Sequence, residues 1–143
     1  MKRIAKITLF GLAIAAAAVF VLGSGALEYL FSGMCGNHLV AEYVSPDGRA
    51  KLVVFQRDCG ATTDFSTQAS LVTPDAKLPG SGGNLFIADT DHGIAPAGPG
   101  GGPELRVHWD GSKTLLLQHH PKARVFKAER LLNGVEVGYE PLP

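Results

Sequence analysis

The chain has 143 residues, with 13 Lys and Arg against 13 Asp and Glu, so its formal net charge is zero. That balance excludes a basic nucleic-acid-binding arm or an acidic tail as the main feature, and the length allows one folded domain, hardly two. From Cys35 onward stand 14 of the 18 Gly and all 9 Pro, so 23 of those 109 residues interrupt regular structure. Such a density excludes a helical bundle and suits a small β-rich domain with turns and loops.

The first element in chain order is an address. Lys2, Arg3 and Lys6 precede Ile7–Phe31, 25 residues whose single charge is Glu28. Basic residues before an apolar run place that end in the cytoplasm and thread the downstream chain outward. Two readings stay open. As a signal anchor the run forms a hydrophobic helix of about 37 Å, enough to cross a ~30 Å hydrocarbon core. As a signal peptide it is cut near the small residues Gly23, Ser24, Gly25 and Ala26. A lipoprotein signal is not formed, because Met34 precedes Cys35 where a small residue is needed. Residues 1–31 are therefore the targeting segment and 32–143 an extracytoplasmic β-rich domain.

Cys35 and Cys59 both lie beyond the run, so both face an oxidising space, where an even count reads as a disulfide. Cys59 as a nucleophile would need a depressed pKa, yet Asp58 opposes the nearby Arg57.

Short strands then succeed one another. His38–Val44 and Arg49–Gln56 flank Ser45-Pro46-Asp47-Gly48, a turn by its chemistry. Phe65–Val72 and Asn84–Ala88 come next, separated by a glycine-rich connection. His92–Pro103 holds 5 Gly and 3 Pro in 12 residues and must be a loop. Leu105–Trp109 alternates and turns at Asp110-Gly111-Ser112-Lys113 into Thr114–Gln118. Ala123–Leu132 passes through Asn133-Gly134, a type I′ hairpin pair, into Val135–Tyr139. About eight strands at this spacing predict a compact antiparallel sandwich or barrel. Leu52, Val54, Leu71, Phe86, Val107, Trp109, Leu116, Phe126 and Val137 are its expected core.

No segment spells out a catalytic set, and no catalytic residue or cofactor is assigned. Asp89, Asp91 and His92 form the most suggestive cluster, since two carboxylates and an imidazole suit a divalent cation or an acid–base pair. An EF-hand would continue with further oxygen ligands, whereas Gly93 and Ile94 come next here, so an Asx-type turn is the competing reading. His119 and His120 face opposite sides of a strand, so at most one could join His108 or His92 on zinc. Gly98–Gly102 lacks the GK[ST] ending of a phosphate loop. Its remaining role is a flap or a partner-contacting loop, with His92, Gly100, Gly101 and Gly102 as binding candidates. Ser66 as a nucleophile has no G-x-S-x-G elbow, and hydroxyls at a strand start usually bond across the ladder.

Cys35-Gly36-Asn37, the stretch SPDGRAKLVVFQRDCGATT (residues 45–63), Phe65-Ser66-Thr67-Gln68, Gly101-Gly102-Pro103 and Arg106-Val107-His108-Trp109 together resemble a group of small bacterial exported or membrane-anchored proteins of unknown function. The resemblance covers Cys35 to Tyr139 and implies a bacterial envelope protein. It transfers no activity and no site residue. The expected function is a binding or interaction module at the cytoplasmic membrane. Its C-terminal domain faces the periplasm, or is released there after cleavage. The expected partners are the membrane, through the N-terminal helix, and an envelope protein; nucleic acid is not expected. A small hydrolase or metal-dependent enzyme built on Asp89, Asp91 and His92 is the alternative, and an immunity-type inhibitor of an envelope toxin a further one.

Overall fold

A computed structural model describes residues 35–60 and 63–143. The apolar run, and with it the choice between anchor and signal peptide, lies outside the described residues.

The described residues form nine strands: β1 Gly36–Val44, β2 Lys51–Asp58, β3 Ser66–Val72, β4 Phe86–Asp89, β5 Leu105–Trp109, β6 Thr114–His119, β7 Arg124–Ala128, β8 Leu131–Leu132 and β9 Val135–Pro141. The described residues are mainly β and contain no helix. One sheet has the order β1-β2-β3-β4-β7 and the other β5-β6-β9-β8.

The turns form as their residues dictate. Asp47 Oδ1 accepts from Ser45 Oγ at 2.8 Å and from the Arg49 N–H at 3.2 Å, and Gly48 takes a positive φ of 70°. The Ser45 hydroxyl, then the Arg49 N–H, hold the Asp47 carboxyl below its usual range. Asn133 and Gly134 both have positive φ, 51° and 77°, as a type I′ turn requires. A Cβ at Gly134 would meet nothing within 4 Å, so Gly134→Val tests backbone strain alone. It should lower stability by roughly 1–2 kcal/mol, read as a shifted denaturant midpoint at unchanged slope. An unchanged midpoint would refute the turn assignment.

The antiparallel expectation holds for every strand pair but one, because β9 runs parallel to β6. After β6 the chain crosses to the first sheet as β7. It returns through β8, so β9 enters beside β6 in the same direction; such a crossover is what parallel pairing needs. Ala123–Leu132, read as one strand, is split into β7 and β8 at this crossing.

Leu52, Val54, Ala69, Leu71, Phe86 and Ala88 of the first sheet share a buried cluster with Leu105, Leu115, Leu117, Val135 and Val137 of the second. Of the expected core, Leu52, Val54, Leu71, Phe86 and Val137 are buried, while Val107 and Trp109 pack half-buried against the cluster. Two expectations fail. Leu115 and Leu117 point inward, so Leu116 takes the other side of its strand. Phe126 is 60% exposed. It is the extra residue where the β4–β7 register skips between Ile87 and Ala88, a bulge that turns the side chain away from the core.

The outer side of the first sheet is covered too. Lys51, Val53, Phe55 and Arg57 alternate onto that side of β2. Lys51 Nζ donates to the Ala76 carbonyl at 3.0 Å, and Arg57 Nη1 donates to the Gly80 carbonyl at 3.2 Å. Val53 and Phe55, between these two anchors, are fully buried. Gln68 Oε1 and Ser70 Oγ accept the Gly83 and Asn84 N–H groups on the same side of β3. Residues 76–84 thus form a strap over the outer side of β2 and β3.

Candidate functional site

The sandwich has two unlike ends. At one lie polar tight turns: Ser45–Gly48, Asp110–Lys113 and Asn133-Gly134. At the other, Asn37 pairs with Arg57, Arg57 with Ser66, Ser66 with Asp89 and Asp89 with Arg124 in one row across the first sheet. The Cys35–Cys59 disulfide stands two steps beyond that row, as expected from the even cysteine count.

At this disulfide end the charged groups converge. Asp89 and Arg124 are cross-strand neighbours, so their side chains emerge on the same outer side. Arg124 grips the Asp89 carboxylate with both arms, Nε to Oδ1 at 3.1 Å and Nη2 to Oδ2 at 2.5 Å. Its Nη1 stands 3.3 Å from Asp91 Oδ1, and its guanidinium lies 5.1 Å from the centre of the Phe126 ring. Burial pushes the Asp89 carboxyl up, but the Arg124 hydrogen bond, the Asp91 N–H and the Arg124 charge outweigh it and hold the group below its usual 3.8. The same pairing raises Arg124.

The chain leaving β4 is strained. Asp91 and His92 have φ of 51° and 56°, and Gly93 comes next at 86°, three consecutive residues in the left-handed region. Each of their N–H groups is capped by a side-chain oxygen. Asp91 N donates to Asp89 Oδ1 at 2.9 Å, His92 N to Asp64 Oδ2 at 2.9 Å, and Gly93 N to Thr90 Oγ1 at 3.1 Å. His92 Nδ1 lies 3.1 Å from the same Asp64 oxygen. Arg57, Cys59, Ser66 and Ile87 line an open cleft of about 330 Å³ together with Asp64, Asp89, His92, Arg124 and Phe126.

Asp89, Asp91 and His92 are thus brought together, but with the Arg124 guanidinium already on both carboxylates and Asp64 on His92. A cation here would have to displace the guanidinium. Among the described residues no group of three or more His, Cys, Asp and Glu side chains is disposed to hold a metal. His119 packs against Phe86 at 5.4 Å and is not part of the network. The Ser66 hydroxyl donates to the Arg57 carbonyl and accepts from Gln68 Nε2, so it serves the ladder.

The glycine loop is seated on the sandwich through Gly102 and Pro103, while Pro99 and Gly100 are exposed. Gly98 N donates to the Gly102 carbonyl at 2.7 Å, and Thr67 Oγ1 donates to the Pro103 carbonyl at 2.7 Å. Gly102 is buried, and Gly101 lies against the Phe65 ring. Sequence reasoning missed Arg124, Asp64 and Phe126, because only strand register and loop closure bring them to Asp89 and His92.

The Asp89–Arg124 pair predicts a pH effect. A carboxyl lowered by folding stabilises fully above its unfolded value near 3.8 and loses that contribution as pH falls through the lower folded value. In Arg124→Gln the burial remains and the lowering partner is gone. The rise of the melting temperature from about pH 2 to pH 6 should therefore be shallower than in the wild type. Parallel curves would show that Arg124 does not set the Asp89 ionisation.

Compared with known proteins, the chain matches no family model, no curated sequence and no solved structure.

Proposed function

We propose that the chain is a bacterial envelope protein. In this reading residues 1–31 hold a hydrophobic helix that tethers or exports it, and the β-sandwich works as a binding module outside the cytoplasmic membrane. The disulfide end is the surface it presents to another envelope component. The observation that carries the reading is the left-handed turn Asp91–Gly93, fixed by three side-chain oxygens beside an open cleft that His92 lines. Backbone strain of this kind costs on the order of 1–3 kcal/mol per residue and gathers at ligand clamps and switch regions. The disulfide supports an oxidising compartment.

Two measurements test this. Alkaline phosphatase fused after Pro143 should be active, since Lys2, Arg3 and Lys6 precede the apolar run; an inactive fusion with a fluorescent cytoplasmic counterpart would reverse the topology. Hydroxyl-radical footprinting should find Phe65, Ile94 and Phe126 less oxidised in intact envelopes than in detergent, with Val44 at the turn end unchanged. Equal oxidation in both states would end the binding-module reading.

A further inference from the structure

We infer that the envelope component met by the disulfide end is the surface of the lipid bilayer itself. The inference rests on the tethered form of the function proposed above and names the partner of that same site.

Three observations carry it. The first is where the exposed apolar side chains lie. Among the described residues seven large ones are exposed: Leu39, Val44, Phe65, Ile94, Val125, Phe126 and Leu131. Register places Leu39, Val125 and Phe126 in the half of the first sheet nearer the disulfide, and Phe65 and Ile94 on the connections leaving that end. Only Val44 and Leu131 belong to the turn end. Five of the seven thus lie in the disulfide half of the domain, Leu39 on one edge strand of the sheet and Val125 and Phe126 on the other.

The second observation is the tether. Residues 32–34 alone separate the apolar run from Cys35. Four chain steps reach at most about 14 Å. Cys35 is locked to Cys59 just beyond the end row, so in the tethered form this end of the domain stays near the headgroup region of a membrane holding residues 7–31.

The third is how the charges are arranged among the apolar groups. Phe126 carries the Arg124 guanidinium over its ring, Arg124 joins Asp89 and Asp91, and the turn starting at Asp91 projects Ile94, 59% exposed. Phe65 is next in the chain to Asp64, the partner of His92. Asp89, gripped by Arg124, loses less on approaching a medium of low dielectric than a free carboxylate would. Aromatic rings beside polar groups suit the headgroup boundary.

The test uses the full chain, extracted from membranes of expressing cells and reconstituted in vesicles of phosphatidylethanolamine and phosphatidylglycerol brominated on the acyl chain. The single Trp, Trp109, donates Nε1–H to the Tyr43 carbonyl towards the turn end and serves as the internal control. Wild-type emission should be untouched by bromine. Phe126→Trp and Ile94→Trp, both at exposed positions, should each lose about a third of their total emission, as expected for a ring about 5–10 Å into the interface. If both variants match the wild type while the chain floats with the vesicles, the inference is overturned. Protection in the envelope footprint would then point to a protein or a second copy of this chain, and the binding-module reading would survive. A chain missing from the membrane fraction would remove the tether, and the docking with it.

Discussion

Gly102→Ala should destabilise the domain by about 2–3 kcal/mol, at the upper end of overpacking costs. A Cβ at Gly102 would stand 2.5 Å from the Thr67 backbone nitrogen and 2.5 Å from its Oγ1. The hydroxyl could swing away; the backbone cannot, because Thr67 is held between β2 and β4 in the sheet. Moving Gly102 instead would disturb the Gly98–Gly102 hydrogen bond and the Thr67 bond to the Pro103 carbonyl, which close this end of the sandwich. Gly93→Ala is the comparison, since its Cβ meets nothing within 4 Å and only its φ of 86° is at stake. That variant should lose about 1–2 kcal/mol. Denaturant titrations in which Gly102→Ala costs no more than Gly93→Ala would show that the loop is not seated on β3 as described.

Removing the disulfide should have an effect of similar size by a different route. Cys35 and Cys59 are separated by 24 residues, and closing such a loop stabilises by about 3 kcal/mol on the chain-entropy argument. For a domain of this size that corresponds to a drop in melting temperature on the order of 10–20 °C. The bond also extends the β1–β2 ladder one position past the Gly36–Asp58 pair, so its loss frees an edge strand at its first residue. Reduced wild type and Cys35→Ser/Cys59→Ser should melt together, well below the oxidised protein. An oxidised and a reduced form melting within a few degrees of each other would contradict a stabilising role.

Phe126 and Arg124 show where reading the chain fails. In sequence, Arg124-Val125-Phe126-Lys127 looks like one more half-buried strand, and Phe is the natural core residue of such a run. The bulge opposite Ile87 and Ala88 arises from pairing between segments almost forty residues apart, and it reverses the assignment. Leu115–Leu117 fails in a simpler way. Three consecutive leucines carry no alternation, so which of them faces inward depends on a neighbour in the other sheet.

What the sequence determined by itself was set by local physics. Glycine and proline density excluded helices. Ser-Pro-Asp-Gly and Asn-Gly set their turns through their own side chains and allowed φ values, and two cysteines beyond an apolar run predicted their bond. Asp89, Asp91 and His92 were visible as a cluster because they are neighbours in the chain. Only the tertiary structure decided what that cluster is. Arg124 arrives from 35 residues away and Asp64 from 28 residues before His92, and together they turn a candidate cation site into a hydrogen-bonded network already holding a guanidinium. The parallel β6–β9 pair, the strap over Val53 and Phe55, and the gathering of exposed apolar side chains at the disulfide end have the same origin. Each depends on which distant segments pair, a choice made by burial over the whole domain that leaves no periodic mark in any one stretch of chain.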